Sequence, residues 1–158
     1  MSLFALAAWI VTAGGGLYLL SIWLIEYDKD FHAVTATRLP PAVLASHVLL
    51  AGSGLVLWAF YLVFDDDRVA EISLAVIVIA ASLGVVMAIR WIGVYRAGRI
   101  RTRSVVPAGD GRVAVLERPA REGPPERNFP LPVVIAHGAF AAVTITLVTL
   151  TVLGVGGS

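Results

Sequence analysis

The chain has no cysteine and only three histidines among its 158 residues. Without thiols there is no disulfide, no thiolate metal ligand and no thioether anchor for a haem. Cysteine usage therefore says nothing about redox compartment. Charge is also scarce, with Asp, Glu, Lys and Arg supplying 15% of residues against 58% hydrophobic ones and a mean hydropathy of +0.86. An ordinary soluble domain is excluded by that balance. No Ser-His-Asp set, phosphate loop or dinucleotide fingerprint is present, so no hydrolytic or transferase motif argues for an enzyme. Nothing points to nucleic acid as a partner.

What the chain does have is long apolar runs. Four stretches, Leu3–Tyr27, Pro41–Phe64, Val69–Tyr95 and Leu131–Val155, reach the length of about 20 helical residues needed to cross a ~30 Å hydrocarbon core. Short alternating segments of a spanning β-barrel are missing. The expected fold is all-α, an integral membrane four-helix bundle in the lipid bilayer. No basic residue precedes the first run, which is longer than the apolar region of a signal peptide, so it is expected to remain as a helix.

The basic residues orient the chain. Eight of twelve follow the third run: Arg96, Arg99, Arg101, Arg103, Arg112, Arg118, Arg121 and Arg127. Lys29 and Arg38 lie between runs one and two, on the same side of a four-span chain. The other side carries Asp65–Arg68 and Glu71. By the positive-inside rule the protein sits in the plasma (inner) membrane with both termini outside and residues 97–129 in the cytoplasm. Within that loop, two β-branched runs flank Gly109-Asp110-Gly111, a pattern that suits a small hairpin, and "AREGPPERN" reads as an irregular linker. A juxtamembrane basic loop reflects topology and contact with anionic lipid. The three aspartates Asp65–Asp67 are expected to be a solvated turn.

The two halves resemble each other. Gly16, Trp23 and Tyr27 are spaced 7 and 4 apart, as are Gly84, Trp91 and Tyr95. Pro40 precedes His47 by seven residues, and Pro130 precedes His137 by seven. This order predicts two tandem helical hairpins inserted the same way up, related by a parallel pseudo-two-fold axis along the membrane normal.

The histidines then acquire a meaning. Each lies about two turns, roughly 10 Å, inside a helix of the same direction. In an up-down bundle those helices are diagonal, some 13 Å apart if neighbouring axes are about 8–10 Å apart. Such a gap suits an iron between two imidazoles. Small residues follow each histidine on its own face, Ala51 and Gly54 after His47, Ala141 and Thr144 after His137, leaving room for a macrocycle or for close helix packing. Gly14–Gly16, Ser82 and Gly84 thin the other walls. His32, in a polar loop, is expected to be solvated.

With these residues the chain resembles transmembrane b-type cytochromes, which hold haem between histidines of different helices in a four-helix bundle. The resemblance covers the bundle plan and the positions His47 and His137. It implies one haem b with both histidines on the iron, and electron transfer alone or as a subunit of a redox complex, with other membrane redox subunits or a quinone as partners. A homo-oligomer stays open. Arg90 is expected to neutralise a haem propionate, to snorkel, or to pair with Glu26. Trp23, Trp91, Tyr27 and Tyr95 suit an interfacial belt. Thr144, Thr146, Thr149 and Thr151 suit hydrogen bonds between helices. The competing expectation is a non-redox membrane protein, an accessory or scaffold subunit or a small transporter, whose histidines only pack.

Overall fold

A computed structural model of the chain describes residues 1–30, 37–101, 105–107, 113–115 and 124–155. His32 and the Gly109-Asp110-Gly111 turn lie outside them. The described chain is all-helical apart from one small strand pair, with helices α1 (Ser2–Asp30), α2 (Pro41–Phe64), α3 (Asp67–Arg101) and α4 (Leu131–Val152). All four are long and apolar enough to cross a membrane, over Ser2–Tyr27, Pro41–Phe64, Asp67–Ala97 and Leu131–Val152. Between α3 and α4, β1 (Val105–Pro107) pairs antiparallel with β2 (Val113–Val115), Pro107 opposite Val113. A single 3-10 turn, Pro125–Asn128, precedes α4.

Proline sets the starts of α2 and α4. Pro40 and Pro130 occupy the cap positions with extended ψ of 125° and 121°, and Pro41 and Pro132 lie in the first turns. There a missing N–H costs nothing, because the first amides of a helix have no intrahelical acceptor. α2 stops where Asp65 turns left-handed (φ 54°), donating its N–H to Tyr61 O at 2.8 Å. Only Asp65 and Asp66 separate it from α3, whose first turn carries Asp67, a charge suited to a helix N-terminus. α4 ends at Val152, three residues short of the expected Val155; Gly154 (φ 69°) then takes a backbone conformation open to glycine, with Val155 N–H closing on Leu150 O at 2.9 Å. α3 continues past Tyr95 to Arg101, because the apolar limit of a run does not end a helix.

The helices form two closely packed pairs, α2 with α3 and α1 with α4, joined by looser contacts of α1 with α2 and α3 with α4. α2 and α4 are therefore diagonal. At the Asp65 end the pairs meet around Ala5, Trp9, Trp58, Ala70, Ile77 and Val148. Trp9 lies against Gly54, where a Cβ would come within 3.0 Å of the indole, and Trp58 Nε1 donates to Ser2 O. At the other end Trp23, Leu39, Trp91 and Val94 are buried beside Pro125 and Glu126.

Large apolar side chains cover the outside: Phe4 and Val63 are each 74% exposed and Leu3 71%. A water-soluble monomer rarely leaves so much contiguous apolar surface uncovered. Thr146, Thr149 and Thr151 each donate to the carbonyl four residues back, satisfying their hydroxyls inside α4. Thr144 alone among these four also reaches another helix among the described residues, with its Oγ1 3.3 Å from Thr12 Oγ1.

Candidate functional site: a paired-imidazole centre

His47 reaches from α2 to α3, with Nδ1 2.8 Å from Ala80 O, and His137 reaches from α4 to α1, with Nδ1 2.9 Å from Thr12 O. A carbonyl oxygen only accepts, so in both rings Nδ1 carries the hydrogen and donates it. The neutral imidazole then keeps its lone pair on Nε2. Neither Nε2 has a hydrogen-bond partner among the described residues. Both stay reachable, since no unpartnered side-chain nitrogen or oxygen there is fully enclosed. The ring centres are 6.3 Å apart, and the planes are inclined at 72°.

A glycine makes each contact feasible. The acceptor carbonyl lies one helical turn before Gly84 in α3 and one turn before Gly16 in α1. A side chain on a helix leans back over the preceding turn, so any residue larger than glycine would stand between the imidazole and that carbonyl. A Cβ at Gly16 would meet His137 Cε1 at 3.0 Å, and one at Gly84 would meet His47 Cε1 at 3.1 Å. Gly15 also touches His137, with 3.6 Å from its Cβ position to the histidine Cβ, whereas Gly14 has nothing within 4 Å. Within each helix the same carbonyl accepts its ordinary bond from the glycine amide. Its second lone pair serves the histidine.

The residues singled out after each histidine divide into two sorts. Ala51 and Ala141 are half-buried, one turn beyond His47 and His137. Gly54 accommodates the Trp9 ring, and Thr144 is buried with its hydroxyl donated to Phe140 O. Arg90 is exposed; its Nη1 donates to Arg38 O at 3.3 Å, and with Thr37, Arg38 and Pro40 it lines a pocket at the Pro40 end of the bundle.

Beside that pocket lies a group the sequence reading passed over. Glu126 is fully buried in the turn before α4. Its Oε1 accepts from Arg38 N–H at 2.7 Å and its Oε2 from Thr37 Oγ1 at 3.0 Å, so it ties the segment before α4 to the segment before α2. Trp91 Nε1 donates to Glu126 O at 3.0 Å and Trp23 Nε1 to Thr37 Oγ1 at 3.3 Å. Trp23 and Trp91 therefore point inward, 4% and 5% exposed, rather than forming an outward belt. A buried indole N–H needs an acceptor, and these two find theirs in the segments that enter the next helices. Tyr27 stacks on Trp23 with centroids 4.5 Å apart and stays at the surface.

Among the described residues no group of three or more His, Cys, Asp or Glu side chains gathers around a common point. Two imidazoles alone do not complete a metal's coordination. Comparison with protein-family models, curated proteins and solved structures finds no match for this chain.

Proposed function

We propose that the chain is an integral protein of the plasma (inner) membrane, both termini outside and residues 97–129 in the cytoplasm, in which His47 and His137 hold one haem b for electron transfer. The observation that carries this reading is the pair of imidazoles, each fixed through Nδ1 to a backbone carbonyl and each left with an unpartnered Nε2, 6.3 Å apart between ring centres. His47 and His137 would hold the iron through Nε2, the nitrogen that the carbonyl contacts leave free. The donor set fits. An Nδ1–H donated to a carbonyl is also the arrangement that orients a ligating histidine and raises its basicity.

The rest of the chain has defined tasks here. Ala80 and Thr12 hold the rings through their carbonyls, and Gly84 and Gly16 admit them. The looser seam between the α1–α4 and α2–α3 pairs is where a flat group enters, one histidine contributed by each pair. When bound, a haem held by His47 and His137 would supply one-electron chemistry. Two tandem hairpins related by a parallel pseudo-two-fold axis account for the matched contacts, Gly84–His47–Ala80 beside Gly16–His137–Thr12. Electrons pass to another membrane redox subunit or to a quinone.

One observation favours a second reading. Each histidine also braces two helices, which is all a scaffold, accessory subunit or small transporter requires. The brace uses Nδ1 alone and leaves the two Nε2 atoms without a partner among the described residues. The absorption spectrum of protein purified from haem-supplying cells separates the readings: a Soret band with low-spin bands is expected, and a colourless protein leaves the brace.

A further inference from the structure

We propose that the pocket lined by Thr37, Arg38, Pro40 and Arg90 binds the phosphate of an acidic phospholipid head group. This rests on the membrane-spanning reading and not on haem. Four observations carry it. The two guanidiniums have no carboxylate partner among the described residues; the Arg90 fork is aimed by a single bond to Arg38 O. The pocket lies where the apolar spans end, beside the N-terminus of the 24-residue helix α2, whose dipole favours an anion. The wall is rigid, because Thr37 and the Arg38 backbone are pinned by both oxygens of buried Glu126. That carboxylate offsets one of the two positive charges, so the site keeps a net charge of about +1, enough for a singly charged phosphodiester.

The fourth observation is an asymmetry. Arg90 stands six residues after Gly84, and the residue six after Gly16 is Ile22. Arg38 stands two residues before Pro40, and the residue two before Pro130 is Asn128. The matched positions of the other half carry neither arginine. Arginine at the hydrocarbon edge carries a desolvation cost, and an anion shared between two forks removes it.

The test is native mass spectrometry of the full chain released from nanodiscs of phosphatidylglycerol and phosphatidylcholine mixed equally. Wild type is expected to retain one phosphatidylglycerol selectively. Arg38→Gln or Arg90→Gln should weaken retention about tenfold, as loss of one charge-assisted contact implies. Arg90→Lys keeps the charge without the fork and should fall between, which separates a lost ligand from a lost fold. Arg96→Gln, an exposed arginine further along α3, should change nothing. Equal retention of both lipids, an equal loss in Arg96→Gln, displacement of the lipid by millimolar inorganic phosphate, or an effect of Arg90→Gln confined to haem-loaded protein would each overturn the proposal.

Discussion

Replacing Gly16 by alanine measures how tightly the His137 ring is held. The new Cβ lies 3.0 Å from Cε1, 3.5 Å from Nδ1 and 3.8 Å from Nε2 of that ring. The first distance is tighter than nine in ten real Cβ contacts, so the imidazole has to give by a few tenths of an ångström. It cannot shift freely, because Nδ1 is bonded to Thr12 O at 2.9 Å on the same side. Alanine alone would stabilise an interior helical position by about 0.8–1 kcal/mol over glycine. Overpacking costs about 1–3 kcal/mol, and stretching one hydrogen bond adds about 0.5–1.5 kcal/mol. The clash wins, with a net loss of about 1–2 kcal/mol. Gly14→Ala, with nothing within 4 Å, should instead be neutral or mildly stabilising. Gly84→Ala, 3.1 Å from His47 Cε1, should behave like Gly16→Ala. Unfolding in mixed micelles by added denaturing detergent reads all three. In a His137→Ala background the ring is absent, so the Gly16→Ala penalty should disappear, a coupling that a double-mutant cycle isolates. Equal stability of Gly14→Ala and Gly16→Ala, or a penalty unchanged without the ring, would refute this reasoning.

Two further outcomes follow from the same contacts and from the charge distribution. Glu126→Ala strips the Arg38 N–H and the Thr37 hydroxyl of their acceptor in a buried place and should destabilise by about 1–3 kcal/mol; a thermal shift no larger than that of Glu71→Ala, at an exposed site, would show that Glu126 ties nothing together. In a chain without native thiols, an impermeant reagent on intact cells should label a cysteine at Ser158 but not one at Gly111; the reverse pattern inverts the topology.

The four helices were legible because length and hydropathy dominate their formation, and Pro40 and Pro130 mark two of the starts. Their ends were less so. α3 runs on to Arg101 with arginines on a continuing helix, while α4 stops at Val152, before a left-handed Gly154 that hydropathy does not register. The matched positions of Gly16 and Gly84 were visible as spacing, but neither their contacts with the histidines nor the acceptors were. Ala80 and Thr12 act through backbone carbonyls, which every residue has, so no side-chain signature distinguishes them. Glu126 was hidden for a different reason: a lone carboxylate between prolines reads as linker, and only the three-dimensional approach of Thr37 and Arg38 gives it partners. Trp23 and Trp91 sit where an interfacial belt would place them along the chain, yet face inward because their N–H groups find acceptors there.

The most direct test of the central claim is haem content per chain, measured in wild type, His47→Ala, His137→Ala and the double variant purified from the same haem-supplying cells. One haem per chain is predicted for wild type, with its low-spin spectrum lost in either single variant nearly as completely as in the double, because each imidazole holds one face of the same iron. A wild type without haem would contradict the account, as would a low-spin spectrum that survives the loss of either histidine.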